Sequence, residues 1–250
     1  MSRRRTTTTR AAACLGAAAL LLGGALATTA GSTAAVAAPE NLPGVPEAGS
    51  PAKAWEKWAA QERADAKATD WEADAAARGC ELQDVTITSE VDREYNLAMG
   101  APADLETHRV ELAERCDGAA SLAGEVGSAD GDATRSATTL AAGLPSGSQC
   151  DTTEGPGVVC LWKDSGRIYS SWRYEGSGTV TGFLRIYRVS TGSSGCPTGS
   201  TWLTGADSSW SNGTTRTVSK TRTQAGGYAT HVWKKVVIGH TNWGSTCASL

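Results

Sequence analysis

The C-terminal part of the chain alternates hydrophobic and polar residues with a period of two, which predicts β-strands. In Arg167–Tyr174, Ile168, Trp172 and Tyr174 fall on one side of the strand, and Tyr169 falls on the other. Comparable runs continue to the end of the chain: Val158–Lys163, Thr179–Ser190, Thr201–Leu203, Ser208–Trp210, Thr214–Thr223, Tyr228–Ile238 and Asn242–Cys247.

Turn signals separate several of these runs. Asp164, Ser165 and Gly166 join Val158–Lys163 and Arg167–Tyr174 into a predicted hairpin. Asn212-Gly213 is the strongest turn signal in the chain. Six or seven short strands at this spacing predict a small antiparallel all-β sandwich or barrel over residues 150–250.

Residues before position 80 have a helical character instead. Ala52–Arg78 is rich in Ala, Glu, Lys, Gln and Arg, and it is followed by Gly79, a favourable residue just past a helix end. Trp55 and Trp58 lie three residues apart and share one face, while Trp71 is turned away from that face. The pattern predicts one helix with a narrow apolar stripe, either packed on its own domain or free to bind a partner.

The segment after Cys80 is less uniform. Alternation at Val85, Ile87 and Val91 predicts a strand. Leu105–Arg115 fits either a strand or a helix that starts after Asp104, and we favour the helix. Residues 51–117 are therefore predicted to be mainly helical, and the chain as a whole to be α+β with two modules.

The first residues have the features of an export signal. Arg3, Arg4, Arg5 and Arg10 precede an apolar stretch, and a small-x-small site at Ala35–Ala37 precedes Ala38. The alternative is a membrane anchor, because no charged residue occurs between Arg10 and Glu40. We predict a signal peptide at 1–37, a flexible leader at 38–50, and a secreted protein without stable membrane insertion after signal removal.

Six cysteines remain after the signal, and an even number in an exported chain predicts disulfides. Cys80 and Cys116 are the only pair in the N-terminal half. For the other four we favour the short loop Cys150–Cys160 and a bridge from Cys196 to Cys247. No CxxC motif occurs and no histidine stands at ligand spacing to a cysteine pair, so we predict no metal site.

Charge and tryptophan divide the chain at the same place. Residues 38–149 hold nine Lys and Arg against 21 Asp and Glu, whereas residues 150–250 hold ten against five. Six of the nine tryptophans also lie in 150–250. With a Gly/Ala/Ser/Thr-rich linker at 118–149, this predicts an acidic module at 51–117 and a basic, Trp-rich module at 150–250.

We find no motif that marks a catalytic centre. GxSxG, HExxH, GxxxxGK[ST] and glycine-rich cofactor fingerprints do not occur, so we predict no catalytic residue and no cofactor. An acid/base pair made of His231 and His240 is the alternative for an enzyme. Their odd spacing would place them on opposite faces of one continuous strand.

The tryptophans of residues 150–250 are the strongest indication of a binding function. Six indole rings are too many for convenient burial in a core of about 100 residues, and rings next to basic and hydroxyl groups bind polymers by stacking. The alternative is that the rings form core and rim. The candidate binding residues are Tyr169, Trp172, Arg173, Tyr187, Trp233 and Trp243.

These observations predict a secreted, non-enzymatic protein whose C-terminal module binds an extracellular polymer, either a polysaccharide or the cell envelope. The mild positive charge of that module argues against nucleic acid. One alternative is an acidic pro-region that restrains a basic toxin or antimicrobial domain. The other is a secreted protease inhibitor that presents the loop Thr191–Ser200.

Overall fold

The computed structural model describes residues 41–116, 144–190 and 195–250, which contain three helices and eleven strands. The predicted signal peptide at 1–37, the start of the leader, most of the linker at 118–149 and positions 191–194 lie outside the described residues. The described residues belong to one compact unit.

The helices are α1 (Ala52–Ala68), α2 (Trp71–Ala77) and α3 (Arg93–Ala98). The single helix predicted over 52–78 is therefore wrong in one respect, because it breaks at Thr69 and restarts after Asp70. The Asp70 carboxylate accepts a hydrogen bond from the Ala73 backbone N–H at 2.9 Å and caps α2. The new direction brings Trp71 into a buried position.

Two long strands follow, β1 (Cys80–Val91) and β2 (Glu106–Cys116). The helix favoured for Leu105–Arg115 is wrong. The segment is a strand because it pairs with β1 along its whole length on one side. Val110 and Leu112 are buried, in line with the strand period. The strand predicted at 85–91 is confirmed and begins five residues earlier.

All helices and strands assigned in the described part of the C-terminal half are strands, and the predicted β character is confirmed. They are β3 (Gln149–Thr152), β4 (Gly157–Asp164), β5 (Arg167–Tyr174), β6 (Thr179–Val189), β7 (Ser200–Thr204), β8 (Ser208–Ser211), β9 (Thr214–Thr221), β10 (Gly227–Lys235) and β11 (His240–Ser249). Ser165 and Gly166 both have positive φ, at 45° and 75°, as the tight turn between β4 and β5 requires.

The strands form two antiparallel sheets. One has the order β1-β2-β9-β5-β4-β3, and the other has the order β11-β10-β6-β7, with β8 also paired to β6. Side chains from both sheets share one core, with Leu161 and Trp172 from the first and Ile186, Trp202 and Val232 from the second. The arrangement is a β-sandwich.

The outer face of the six-stranded sheet is covered by the N-terminal helices. Ala66 of α1 and Trp71 of α2 pack in one buried cluster with Trp162 and Tyr169. Because β9 lies between β2 and β5, strands from both predicted modules share this sheet. The division of the chain into two modules is therefore not confirmed, and residues 51–117 contribute strands as well as helices.

A buried lysine also joins the two halves of the chain. The Lys220 side chain on β9 is fully buried, and its Nζ donates to Asp92 Oδ2 at 2.8 Å and to Glu90 Oε1 at 3.3 Å. Its Nζ also lies 4.1 Å from the centroid of the Tyr95 ring. The β1–α3 segment is thus tied to β9 by charge as well as by strand pairing.

All three predicted disulfides are confirmed: Cys80–Cys116, Cys150–Cys160 and Cys196–Cys247. Each lies within one half of the chain. Among the helices of the described ranges, none is long and apolar enough to cross a membrane.

Candidate functional site

Three of the six candidate binding residues lie on β5, and all three are buried. Trp172 points into the sandwich core, where its ring meets that of Trp210 at a centroid distance of 5.2 Å. Tyr169 points to the covered outer face and stacks on Trp162 at 5.2 Å. Arg173 is also buried, with Nε 3.7 Å from a carboxylate oxygen of Glu175. These side chains cannot form a shared binding surface.

Trp243 on β11 is half-buried, and its ring is enclosed by neighbours. Lys234 Nζ lies 3.9 Å from the ring centroid, and Tyr174 stacks on it at 6.5 Å with an angle of 17° between the planes. The Gly155 backbone approaches so closely that a Cβ there would lie 2.2 Å from a ring carbon. No broad face of this indole remains for a ligand.

The other two candidates, Tyr187 and Trp233, lie on the outer side of the five-stranded sheet. Leu184 and Ile186 of β6 and Val232 of β10 point into the core, so the residues between them point outwards. We call this surface the open face. It consists of Phe183, Arg185, Tyr187, His231, Trp233 and Lys235, of which Tyr187 (5% exposed) and His231 (4% exposed) are buried.

The strand register arranges these residues in rows across the sheet. Trp233 lies directly opposite Phe183 on one side and Asn242 on the other, and His231 lies opposite Arg185. The Phe183 and Trp233 side chains are half-buried, so part of each ring reaches the surface. Because neighbouring strands are about 4.8 Å apart, the row of Phe183, Trp233 and Asn242 spans about 10 Å.

The rings on the open face contact one another and the basic groups. His231 stacks on Trp233 with a centroid distance of 5.9 Å and meets Tyr187 edge-on at 5.2 Å. Arg185 lies over Phe183, its guanidinium carbon 4.9 Å from the ring centroid. Its Nε donates to Thr204 Oγ1 at 2.9 Å. The His231 imidazole and the Arg185 guanidinium are therefore held in place by these contacts in the absence of a ligand.

The two histidines considered for an acid/base pair have separate partners. His231 Nε2 donates to the carbonyl oxygen of Cys196 at 2.9 Å, and burial lowers the pKa of this imidazole. His240 Nε2 lies 3.3 Å from Asp207 Oδ1, and its ring meets Phe183 edge-on at 4.8 Å. Each imidazole orients a neighbouring group, so the geometry gives no sign of shared acid/base chemistry.

Sequence reasoning missed Phe183 and Arg185. A signal was present, because Phe183, Arg185 and Tyr187 alternate along one strand and Phe183 is the only phenylalanine of the chain. What the sequence lacked was the register that sets Phe183 opposite Trp233.

A second candidate is a cleft of about 300 Å³ between α1, α2 and the β4–β5 turn. Glu62, Asp65, Asp74 and Arg167 line it. Each of its three carboxylates already accepts a hydrogen bond, Glu62 from Thr221, Asp65 from Gln61 and Asp74 from Arg78. The cleft is therefore better explained as part of the contact between the helices and the sheet.

Arg167, at the base of this cleft, is buried and donates to neutral acceptors. Its guanidinium bonds to Ser219 Oγ at 3.1 Å, to Ser219 O at 3.0 Å and to His108 Nε2 at 3.0 Å. Burial, and next the positive charge of Arg167, lower the pKa of His108 to about 4. Since arginine has no acceptor, His108 must be neutral and accept with Nε2.

Within the described part of the chain, no three His, Cys, Asp or Glu side chains cluster closely enough to hold a metal ion. No family model, curated protein or solved structure matches this chain.

Proposed function

We propose that this is a secreted, non-enzymatic protein whose open face binds an extracellular polymer, either a polysaccharide or a component of the cell envelope. The observation that carries the proposal is the pair of half-buried rings, Phe183 and Trp233, set opposite each other on the outer side of a sheet. The three disulfides are compatible with an extracellular location.

The shape of the open face favours an extended ligand over a small enclosed one. Phe183 and Trp233 each offer a stacking partner the part of the ring that Arg185 and His231 leave uncovered. The row of side chains runs across three neighbouring strands, β6, β10 and β11, so a ligand longer than one ring could contact more than one of them. A polymer gains contacts from each ring that it crosses.

Polar groups around the rings support a hydroxylated or acidic ligand. Arg185 and Lys235 carry positive charge, Asn242 and His240 supply hydrogen-bonding groups, and Asp207 adds one carboxylate beside them. Such groups fix the orientation of a ligand whose rings stack on the aromatic side chains.

The proposal is tested with the chain from Ala38 to Leu250, disulfides intact. Retention on a panel of insoluble polysaccharides and on peptidoglycan is measured by depletion from solution and by tryptophan fluorescence. Trp233→Ala and Phe183→Ala are each expected to weaken retention about fivefold, since a lost stacking contact is worth on the order of 1 kcal/mol.

Trp58→Ala is the matched control, because Trp58 is also half-buried but lies on α1 and not on the five-stranded sheet. Equal retention of all three variants would contradict the proposal, as would no retention of the unmodified chain on any polymer of the panel.

A further inference from the structure

The turn between β10 and β11 exposes the most accessible large hydrophobic side chains of the described residues. Val237 is 102% exposed and Ile238 is 91% exposed, and Val236 before them is 39% exposed. We call Val236, Val237, Ile238 and Gly239 the hairpin tip. Turns normally carry Gly, Asn, Asp, Ser or Pro, so three branched apolar residues in sequence at this position call for a reason.

The backbone holds these side chains outwards. The Val236 N–H donates to the Gly239 carbonyl oxygen at 3.0 Å, and Gly239 has a φ of +78°. Because the turn is closed by its own hydrogen bond, Val237 and Ile238 at its apex cannot fold back on the sheet without opening it. The hairpin tip is a small, preformed apolar projection.

Basic groups surround the base of the projection. Lys234 and Lys235 end β10, and His240 begins β11. Asp207 is the carboxylate in contact with this region, 3.7 Å from Lys235 Nζ and 3.3 Å from His240 Nε2. Lys234 carries its charge over the Trp243 ring. An apolar apex and a basic collar thus follow one another along the hairpin.

This order matches the layers of an anionic lipid surface. Apolar side chains enter the boundary between headgroups and acyl chains, and lysines meet the negative headgroups. A protein partner fits less well, since a stable interface buries about 800 Å² on each side. Two or three side chains on a convex tip provide far less than that.

We infer that the hairpin tip is a lipid anchor that inserts shallowly into membranes containing anionic phospholipid. The tip does not span the bilayer and leaves the sandwich in water. The inference is independent of polymer binding, because it rests on Val237 and Ile238 and not on the rings of the open face.

The test uses residues 38–250 and two kinds of vesicle, phosphatidylcholine alone and an equimolar mixture of phosphatidylcholine with phosphatidylglycerol. Co-sedimentation is expected with the mixture and not with phosphatidylcholine alone. The double variant Val237→Asp, Ile238→Asp is expected to bind the mixture more than tenfold more weakly, because two apolar side chains lose their burial.

Leu97→Asp is the matched control, since Leu97 is 56% exposed but lies on α3. It is expected to bind the mixture like the unmodified chain. A second measurement needs no variant: raising the salt concentration is expected to weaken binding, because it screens the lysine collar.

Three outcomes would overturn the inference. One is that the unmodified chain sediments with neither vesicle. The second is that the double variant binds as tightly as Leu97→Asp. The third is a concentration-dependent dimer, seen by light scattering, that disappears in the double variant, which would assign the tip to a second copy of this chain. Retention on the polymer panel is expected to be unchanged in the double variant, so the two proposals fail separately.

Discussion

Strands β5 and β10 occupy similar inner positions in the two sheets, but they differ on their outer sides. All eight residues of β5 are buried, because α1 and α2 lie over Tyr169 and its neighbours. On β10 the outward residue Trp233 is half-buried and Lys235 is exposed. The same alternating pattern thus leads to a three-layer structure around β5 and to a half-buried tryptophan near the end of β10, whose first six residues are buried.

This difference shows that the position of a tryptophan in a strand pattern does not by itself indicate a binding site. Alternation assigns side chains to two faces, but the solvent exposure of each face depends on distant segments. Trp162 and Trp233 both point away from the sandwich core. Only Trp162 is covered by residues that precede it in the sequence by more than 80 positions.

The largest effect is expected when the N-terminal part of the chain, whose helices cover β5, is removed altogether. Residues 146–250 expressed alone are expected not to fold cooperatively, because β9 loses its partner β2 and the rings of Trp162 and Tyr169 become exposed. Near-ultraviolet circular dichroism and urea unfolding measure this. A fragment with a cooperative transition would show that the β strands of residues 150–250 form an independent module.

The same comparison bears on the alternative of an acidic pro-region. A protease site placed within 118–143 and then cleaved is expected to leave the two pieces associated on gel filtration. Since no disulfide of the structure joins the two halves, the association would be non-covalent. Spontaneous separation of the pieces would favour release of a C-terminal toxin or antimicrobial domain.

One tryptophan on the outer side of each sheet shows the same difference. Trp71→Ala is expected to lower the free energy of unfolding by about 3–5 kcal/mol, because Trp71 is buried in the helix cover and its indole N–H donates to Ala66 O at 2.9 Å. Trp233→Ala is expected to lower it by about 1 kcal/mol. Urea unfolding measures both, and equal losses would contradict the distinction between a covered and an open face.

Local patterns were sufficient to predict most of the strands and all three bridges. The β4–β5 hairpin and the Asn212-Gly213 turn depend on neighbouring residues, so the sequence encodes them directly. The segment 106–116 was missed because its local pattern fits both structures. It is decided by β1 and β9 on either side, which are tertiary contacts.

The candidate site was predicted only in part for the same reason. Trp233 lies on the open face and is half-buried, and Tyr187 lies on the same side of the sheet but is buried, like Tyr169, Trp172 and Arg173 of β5. All five are aromatic or basic residues in strands, so residue type alone does not separate the exposed ones from the buried ones. Which of them meet solvent follows from the packing of two sheets and two helices, and that information is spread over the whole chain.

A smaller effect concerns a histidine beneath the cover. The pKa of His108 is lowered to about 4 from an ordinary value of 6.5. The unfolded chain therefore binds this proton more readily, and the free energy of unfolding falls as pH decreases through this range. Between pH 7.5 and pH 5 the loss due to His108 is expected to be about 2 kcal/mol.

His108→Gln isolates this contribution, because a glutamine carbonyl can still accept the hydrogen bond from Arg167. The variant is expected to lose about 2 kcal/mol less than the unmodified chain over the same pH range in urea unfolding. The lowered pKa of His231 acts in the same direction and stays in both proteins. Identical pH profiles would mean that His108 is not shielded from water by the helix cover.

The smallest effect is expected for an ion pair at the edge of the open face. Lys235 and Asp207 are 3.7 Å apart, and their side chains are 56% and 42% exposed. Asp207→Asn is expected to change the free energy of unfolding by less than about 0.5 kcal/mol, since solvent and salt screen such a pair.

Arg78 and Glu114 form an ion pair under the helices, where both side chains are buried. Arg78→Met leaves the Glu114 carboxylate without its charged partner and is expected to cost about 3 kcal/mol. Urea unfolding at low and high salt compares the two pairs. A loss at Asp207 as large as that at Arg78 would mean that the open face is shielded from water to the same degree as the covered one.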